Sequence, residues 1–148
     1  MTEFPVRFFA SDEAVAYVGE GLLARTLTKD EFTHEAHLAA TTWLVLRHPE
    51  IDLDSGMRGI ISRFNESLGG VNDDTQGYHE TITRAYLRGV RLFLEEADTA
   101  RPVHELVNEL LRSPMGRRDW PLRFWSKDIL MSVAARRTFV APDLRALP

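Results

Sequence analysis

Three of the five histidines of this chain lie in two short polar segments at the predicted starts of helices. His34 and His37 belong to segment 28–37, and His79 belongs to segment 77–81. Because the chain contains no cysteine, a transition metal would have to be bound through histidine nitrogens and carboxylate oxygens. Three histidine ligands with one open position are typical of a catalytic zinc site. The pattern therefore predicts that these three histidines hold one divalent metal ion, which could be zinc, iron or nickel.

The elements that must position these histidines are predicted to be helices. Apolar residues recur at helical spacing along nearly all of the chain, and two-residue alternation is scarce. Short connections between helices of similar length favour an up-down topology. We therefore expect an all-α single domain spanning residues 1–148, with an up-down four-helix bundle core and two additional C-terminal helices. The predicted helices cover approximately residues 12–27, 29–48, 54–68, 75–96, 103–111 and 121–137, and residues 139–144 form an extended tail.

The start of the second predicted helix carries the clearest capping signal. Thr28, followed three residues later by a glutamate, fits a capping box. With Thr28 at the N-cap, His34 lies six residues and His37 nine residues into the helix, on one face because they are three residues apart. If Asp74 caps the fourth helix, His79 lies five residues into it. The second and fourth helices of an up-down bundle run parallel, so we expect the three imidazoles to meet near one end.

Acidic and phenolic side chains flank the predicted metal site. Glu35 and Glu80 are candidates for a general base or a fourth metal ligand, and Tyr78 is a candidate hydrogen-bond donor to a substrate. A metal in this setting would activate water or polarise a substrate oxygen. The leading hypothesis is therefore an enzyme that acts on a small molecule through a mononuclear three-histidine site.

Two other interpretations of the histidines stay open, because histidine also serves structural and acid–base roles. The rings could form a metal-free acid–base site. Alternatively, His34 and His37 could be bonded to backbone or carboxylate groups at the edge of the core, and His79 with Glu80 could be ordinary cap chemistry at a helix start. In that case the chain would be a non-catalytic interaction or structural module, with a homodimer as one form.

The distribution of charge bears on the partners of the protein. Residues 1–100 hold 9 Lys and Arg against 17 Asp and Glu, whereas residues 101–148 hold 9 against 5, within a net charge of −4. The basic residues of the second part are scattered, and the whole protein is acidic, so nucleic-acid binding is not expected. The aromatic and basic residues of segment 117–125 fit a helix buried against the bundle better than a base-stacking surface.

Several features favour a cytoplasmic protein with no membrane partner. The sequence contains no run of 18 apolar residues that could form a transmembrane helix. Residues 1–5 lack the basic region that precedes the apolar stretch of a secretory signal. The absence of cysteine excludes a disulfide framework and a thiolate metal site.

Three motifs carry a resemblance to known proteins. Phe-Thr-His-Glu-Ala-His-Leu at 32–38, Gly-Tyr-His-Glu-Thr-Ile-Thr at 77–83 and Leu-Arg-Phe-Trp-Ser at 122–126 resemble a family of small uncharacterised bacterial helical proteins. That family implies a helical fold and no particular activity. The chain is also distantly similar to the DinB-like metal-binding bundles, which place three histidines between helices. This second resemblance implies a metal held between helices, although the paired histidines here lie early in the chain and three residues apart.

Overall fold

The computed structural model describes residues 6–148. Residues 1–5, on which the expectation of no secretory signal rests, lie outside the described residues. All regular secondary structure in the described range is helical, which confirms the predicted all-α class. The α-helices are α1 (Asp12–Ala24), α2 (His34–Arg47), α3 (Leu53–Ser67), α4 (Glu80–Glu95), α5 (Val103–Arg112), α6 (Lys127–Leu130) and α7 (Val133–Arg137).

Three short 3-10 turns complete the helical structure of residues 6–148. They cover Lys29–Glu31, Pro114–Gly116 and Trp120–Arg123. None of the helices within the described range is both long enough and apolar enough to cross a lipid bilayer.

The second helix begins later than the sequence predicts. Thr28 and Glu31 do form the predicted capping box, but it closes only a 3-10 turn. Phe32 then leaves the helical conformation, with its ring packed edge-on against a phenylalanine of α3. Thr33 caps α2 instead, so His34 is the first residue of that helix. The predicted depth of six residues for His34 is therefore wrong.

The start of the fourth helix and the continuity of the sixth also differ from the prediction. His79, and not Asp74, occupies the N-cap position of α4, with an extended backbone at φ −131° and ψ 111°. The predicted helix 121–137 is divided because Ser126 and Ser132 each accept a backbone hydrogen bond as a new N-cap. Both changes follow from side chains that compete for backbone donors where a longer helix was expected.

The core forms where α2 packs against α1, α4 and α5, and where α1 also contacts α3 and α5. α1 and α2 approach each other closely at Gly19, where a Cβ atom would clash with the side chain of Trp43, so glycine is favoured there. The largest fully buried side chains include Leu22, Leu38, Leu44, Leu87, Leu106, Leu110 and Trp125.

Residues 114–148, which we call the C-terminal segment, contain only short helical pieces and cover one side of this helical body. Turn 114–116 and α7 both contact α4. Trp125 is fully buried, and its indole N–H donates to the carbonyl of Val140 at 3.0 Å. Residues 139–144, predicted to form an extended tail, contain no helix, and residues 143 and 144 lie in a bend.

Candidate functional site

The imidazole of His79 is hydrogen-bonded through both of its nitrogens. Nδ1 accepts the backbone N–H of Ile82 at 3.1 Å, which makes His79 the N-cap of α4. Because Nδ1 must accept, the ring proton lies on Nε2, and Nε2 donates to the carbonyl of Leu130 at 2.7 Å. The ring thereby joins the start of α4 to the C-terminal segment over 51 positions of the chain.

Burial keeps this ring neutral. The His79 side chain lies in the interior, where loss of hydration lowers its pKa, and the positive charge of Arg136 lowers it further. The hydrogen bond to the Leu130 carbonyl opposes that shift only in part. The neutral ring with its proton on Nε2 has one lone pair, on Nδ1, and that lone pair holds the Ile82 amide. His79 therefore has no lone pair available for a metal ion unless the cap is broken.

His34 makes an analogous tie at a different place. Its Nε2 lies 2.9 Å from the carbonyl of Gly116, so the ring donates to the turn that follows α5. The ring also packs edge-on against Tyr86 of α4, with centroids 5.4 Å apart. The phenol of Tyr86 in turn donates to the carbonyl of Arg117 at 2.6 Å. Burial lowers the pKa of His34 and raises that of Tyr86, so both groups are neutral near pH 7.

Glu35 completes the contacts to the same turn. Its carboxylate is buried in the first turn of α2 and pairs with the Arg118 guanidinium at 3.5 Å. A buried carboxylate is costly unless it is paired, so this ion pair holds Arg118 against α2. Residues 116–118 are thus held by three polar side chains of the helical body, namely those of His34, Glu35 and Tyr86.

His37 lies one turn further along α2. Its partly buried ring packs against the ring of Phe32, with centroids 5.4 Å apart. Burial lowers the pKa of His37 to about 4, and the neighbouring His34 adds to that shift. His37 is therefore neutral near pH 7.

Tyr78 and Glu80 form a separate cluster at the start of α4. The phenol of Tyr78 donates to the Glu80 carboxylate at 2.5 Å. Arg58 and Arg84 lie 3.6 and 3.8 Å from the same carboxylate, and the Arg58 guanidinium also stacks over the ring of Tyr78. Burial and the Glu80 carboxylate together raise the pKa of Tyr78. Glu80 thus holds a phenol and two arginines together, and its predicted role as a base stays a prediction.

Within residues 6–148, no group of three or more histidine, aspartate or glutamate side chains is placed so that it could hold a metal ion. His34 and Glu35 face turn 116–118, whereas His79 faces the carbonyl of Leu130. The three imidazoles were predicted to share one centre because they were expected at similar depths in two parallel helices. As placed here, the residues do not fit the predicted three-histidine site.

Sequence reasoning missed the arginines that tie the C-terminal segment to the loop before α4. Arg136 donates to the carbonyls of Gly77 and Tyr78, and Arg137 forms a bidentate ion pair with Asp74. These contacts join residues about sixty positions apart, so no local pattern indicates them. The cap role of His79, by contrast, agrees with the interpretation of residues 79–81 as ordinary helix-start chemistry.

Comparisons with known proteins find no match: no family model, no curated protein and no solved structure is significantly similar to this chain. The resemblances to small bacterial helical proteins and to DinB-like bundles therefore stay predictions.

Proposed function

We propose that this chain is a non-catalytic interaction module whose histidines are structural. The observation that supports this most strongly is the hydrogen bonding of His79, in which one ring nitrogen caps α4 and the other binds the Leu130 carbonyl. A catalytic or metal-ligating histidine needs a nitrogen that can exchange a proton or bind the ion. In His79 both ring nitrogens are hydrogen-bonded to backbone groups.

The other predicted site residues support the same proposal. His34 and Glu35 contact residues 116–118, and Tyr78 donates to Glu80. Each side chain has a partner that belongs to the fold, which is the arrangement expected of polar groups that position a chain segment. The finer architecture, an up-down four-helix core with two further C-terminal helices, is part of this proposal, and the packing of α2 against α1, α4 and α5 supports it.

Apolar side chains on the C-terminal segment support an interaction role. Ile129 on α6, Met131 just after α6 and Val133 on α7 lie close together in sequence, and they are 39%, 54% and 43% exposed. Exposed apolar groups of this kind are typical of surfaces that contact a partner. A second copy of this chain is the partner we propose, because the acidic first part and the basic second part of the sequence have complementary charge.

The metal content of the protein tests the structural role of the histidines. We expect protein purified without a histidine tag, then refolded with zinc, iron or nickel in turn and dialysed, to retain far less than one equivalent of metal. The physical reason is that ligation by His79 would remove the cap of α4. Elemental mass spectrometry measures the retained ion. A His104→Ala variant serves as the control for adventitious binding, since His104 lies at the surface beside Asp12.

The rival function is a metal-dependent enzyme that acts on a small molecule. Retention of one equivalent of metal that is lost in a His37→Ala/His79→Ala double variant, and kept in His104→Ala, would contradict the structural proposal and support that enzyme.

A further inference from the structure

A small cavity lies between α3, the loop that precedes α4, and α7. Its volume is about 150 Å³, and its lining includes three arginines: Arg58 from α3, and Arg136 and Arg137 from α7. Drug-sized ligands occupy pockets of roughly 300–1,000 Å³, so this cavity is of a size for a single small group. The cavity lies apart from the turn held by His34. The proposed interaction with a second copy of the chain does not involve this cavity.

The three arginines differ in how their charges are neutralised. Arg137 donates to both oxygens of Asp74, at 2.7 and 2.6 Å, and Arg58 lies 3.6 Å from Glu80. Arg136 donates only to backbone carbonyls, those of Gly77 and Tyr78. Among residues 6–148, it forms no ion pair with a carboxylate within 4.0 Å. Carbonyl oxygens carry no net charge, so the positive charge of the half-buried Arg136 is not neutralised by a direct ion pair.

Two aspartates also line the cavity, and their carboxylates are already occupied. Asp73 accepts the backbone N–H groups of Thr75 and Gln76, so it binds its own loop. Asp74 is the partner of Arg137. The lining holds three arginines against two aspartates, and the third carboxylate, that of Glu80, contacts Arg58 from outside the lining. The hydroxyl of Ser62, on α3, supplies a further polar group at the wall.

We propose that this cavity binds a phosphate group, either as the free ion or as part of a small phosphorylated molecule. Guanidinium groups match the geometry of phosphate oxygens, and hydrogen bonds between charged partners are about twice as strong as neutral ones. Arg136 supplies electrostatic attraction for the phosphate. Arg58 and Arg137 each have N–H groups beyond those that contact Glu80 and Asp74. This phosphate site adds ligand binding to the proposed interaction module. The proposal of the site does not depend on whether the histidines are structural.

Titration with inorganic phosphate tests this site. Backbone amide shifts of the 15N-labelled protein are followed at constant ionic strength and pH 7.5, and we expect saturable shifts centred on Gly77, Tyr78 and Arg136. Substitution Arg136→Gln is expected to weaken binding about tenfold or more, since it removes the charge and one charge-assisted hydrogen bond. Arg145→Gln is the matched control, because Arg145 is exposed and is not among the residues that line the cavity. It should change the affinity less than about twofold.

A second variant keeps the test decisive if Arg136→Gln unfolds. Substitution Ser62→Asp leaves all three arginines in place and puts a carboxylate into the cavity, so it should also abolish binding. A parallel titration with glycerol phosphate separates the two sources of the group. Equal affinity indicates the free ion, and tighter binding of the ester indicates a phosphorylated molecule. Absence of saturable shifts in the wild-type protein, or equal weakening by Arg136→Gln and Arg145→Gln, would overturn the proposal.

Discussion

Replacement of His79 by alanine is expected to lower the free energy of unfolding by about 2–4 kcal/mol. Loss of the N-cap acceptor for the Ile82 N–H accounts for about 1 kcal/mol. Loss of the donor to the Leu130 carbonyl, which lies in the buried interior, accounts for about 1–3 kcal/mol. Urea unfolding followed by circular dichroism measures the difference.

Two matched variants separate the contributions to this loss. His79→Asn keeps an oxygen that can cap α4 but is too short to reach Leu130, so it should recover about 1 kcal/mol relative to alanine. His104→Ala removes a histidine paired with Asp12 at the surface, and it should cost less than about 1 kcal/mol. If His79→Ala were as stable as the wild-type protein, the ring would not hold the C-terminal segment.

The second large effect is a loss of stability as the pH falls from 7 to about 4.5, with His37 as the main cause. Burial lowers the pKa of His37 in the folded protein to about 4, against about 6.5 in the unfolded chain. Between these values the unfolded chain binds the extra proton. The stabilisation is therefore complete above pH 6.5 and is lost as the pH falls, by up to about 3 kcal/mol near pH 4.

Other titrating groups also change the free energy of unfolding over this pH range. His34 and His79 also have lowered pKa values, so they act in the same direction as His37. The carboxylate of Glu20 raises the pKa of the partly exposed His48, which therefore adds a small opposing contribution as the pH falls. Carboxylates with lowered pKa values, such as Asp12, begin to lose their contribution from about pH 5 downwards, at the acidic end of this range.

Urea midpoints measured between pH 7 and 4.5 test the contribution of His37. The variant His37→Gln removes the titrating ring while keeping a polar side chain of similar reach, and it should reduce the pH dependence by about half or more. The same slope of stability against pH in His37→Gln and in the wild-type protein would show that His37 is not the source.

The helices that depend on local signals could be predicted from the sequence. Ser11 caps α1 as expected, and α3 and α5 lie within one or two residues of their predicted bounds. These elements depend on apolar periodicity and on side chains that cap the nearest backbone groups, both of which act over a few residues.

The starts of α2 and α4 could not be predicted in the same way. The helix signal at Thr28 is real, yet Phe32 leaves the helix with its ring packed on α3, which is a tertiary contact. His79 is held in its cap position partly by the carbonyl of Leu130. Each start lies five residues later than predicted, and the rings of His34 and His79 bind different carbonyls, those of Gly116 and Leu130.

The roles of the polar residues were the least predictable part. His34 binds a carbonyl 82 positions away, and Thr81 binds the carbonyl of Thr138, 57 positions away. Backbone carbonyls are present at every residue, so a sequence does not indicate which of them a side chain will meet. The partners of these polar side chains therefore depend on the path of the C-terminal segment.

The protonation of the His79 ring tests the central claim most directly. Two-bond 1H–15N spectra of protein labelled with 15N-histidine report which ring nitrogen carries the proton. At pH 7.5 we predict that His79 carries its proton on Nε2, has an unprotonated Nδ1, and gives the same spectrum after one equivalent of zinc is added. A ring protonated on Nδ1, or His79 nitrogen shifts that move to metal-bound values with zinc, would contradict the structural role.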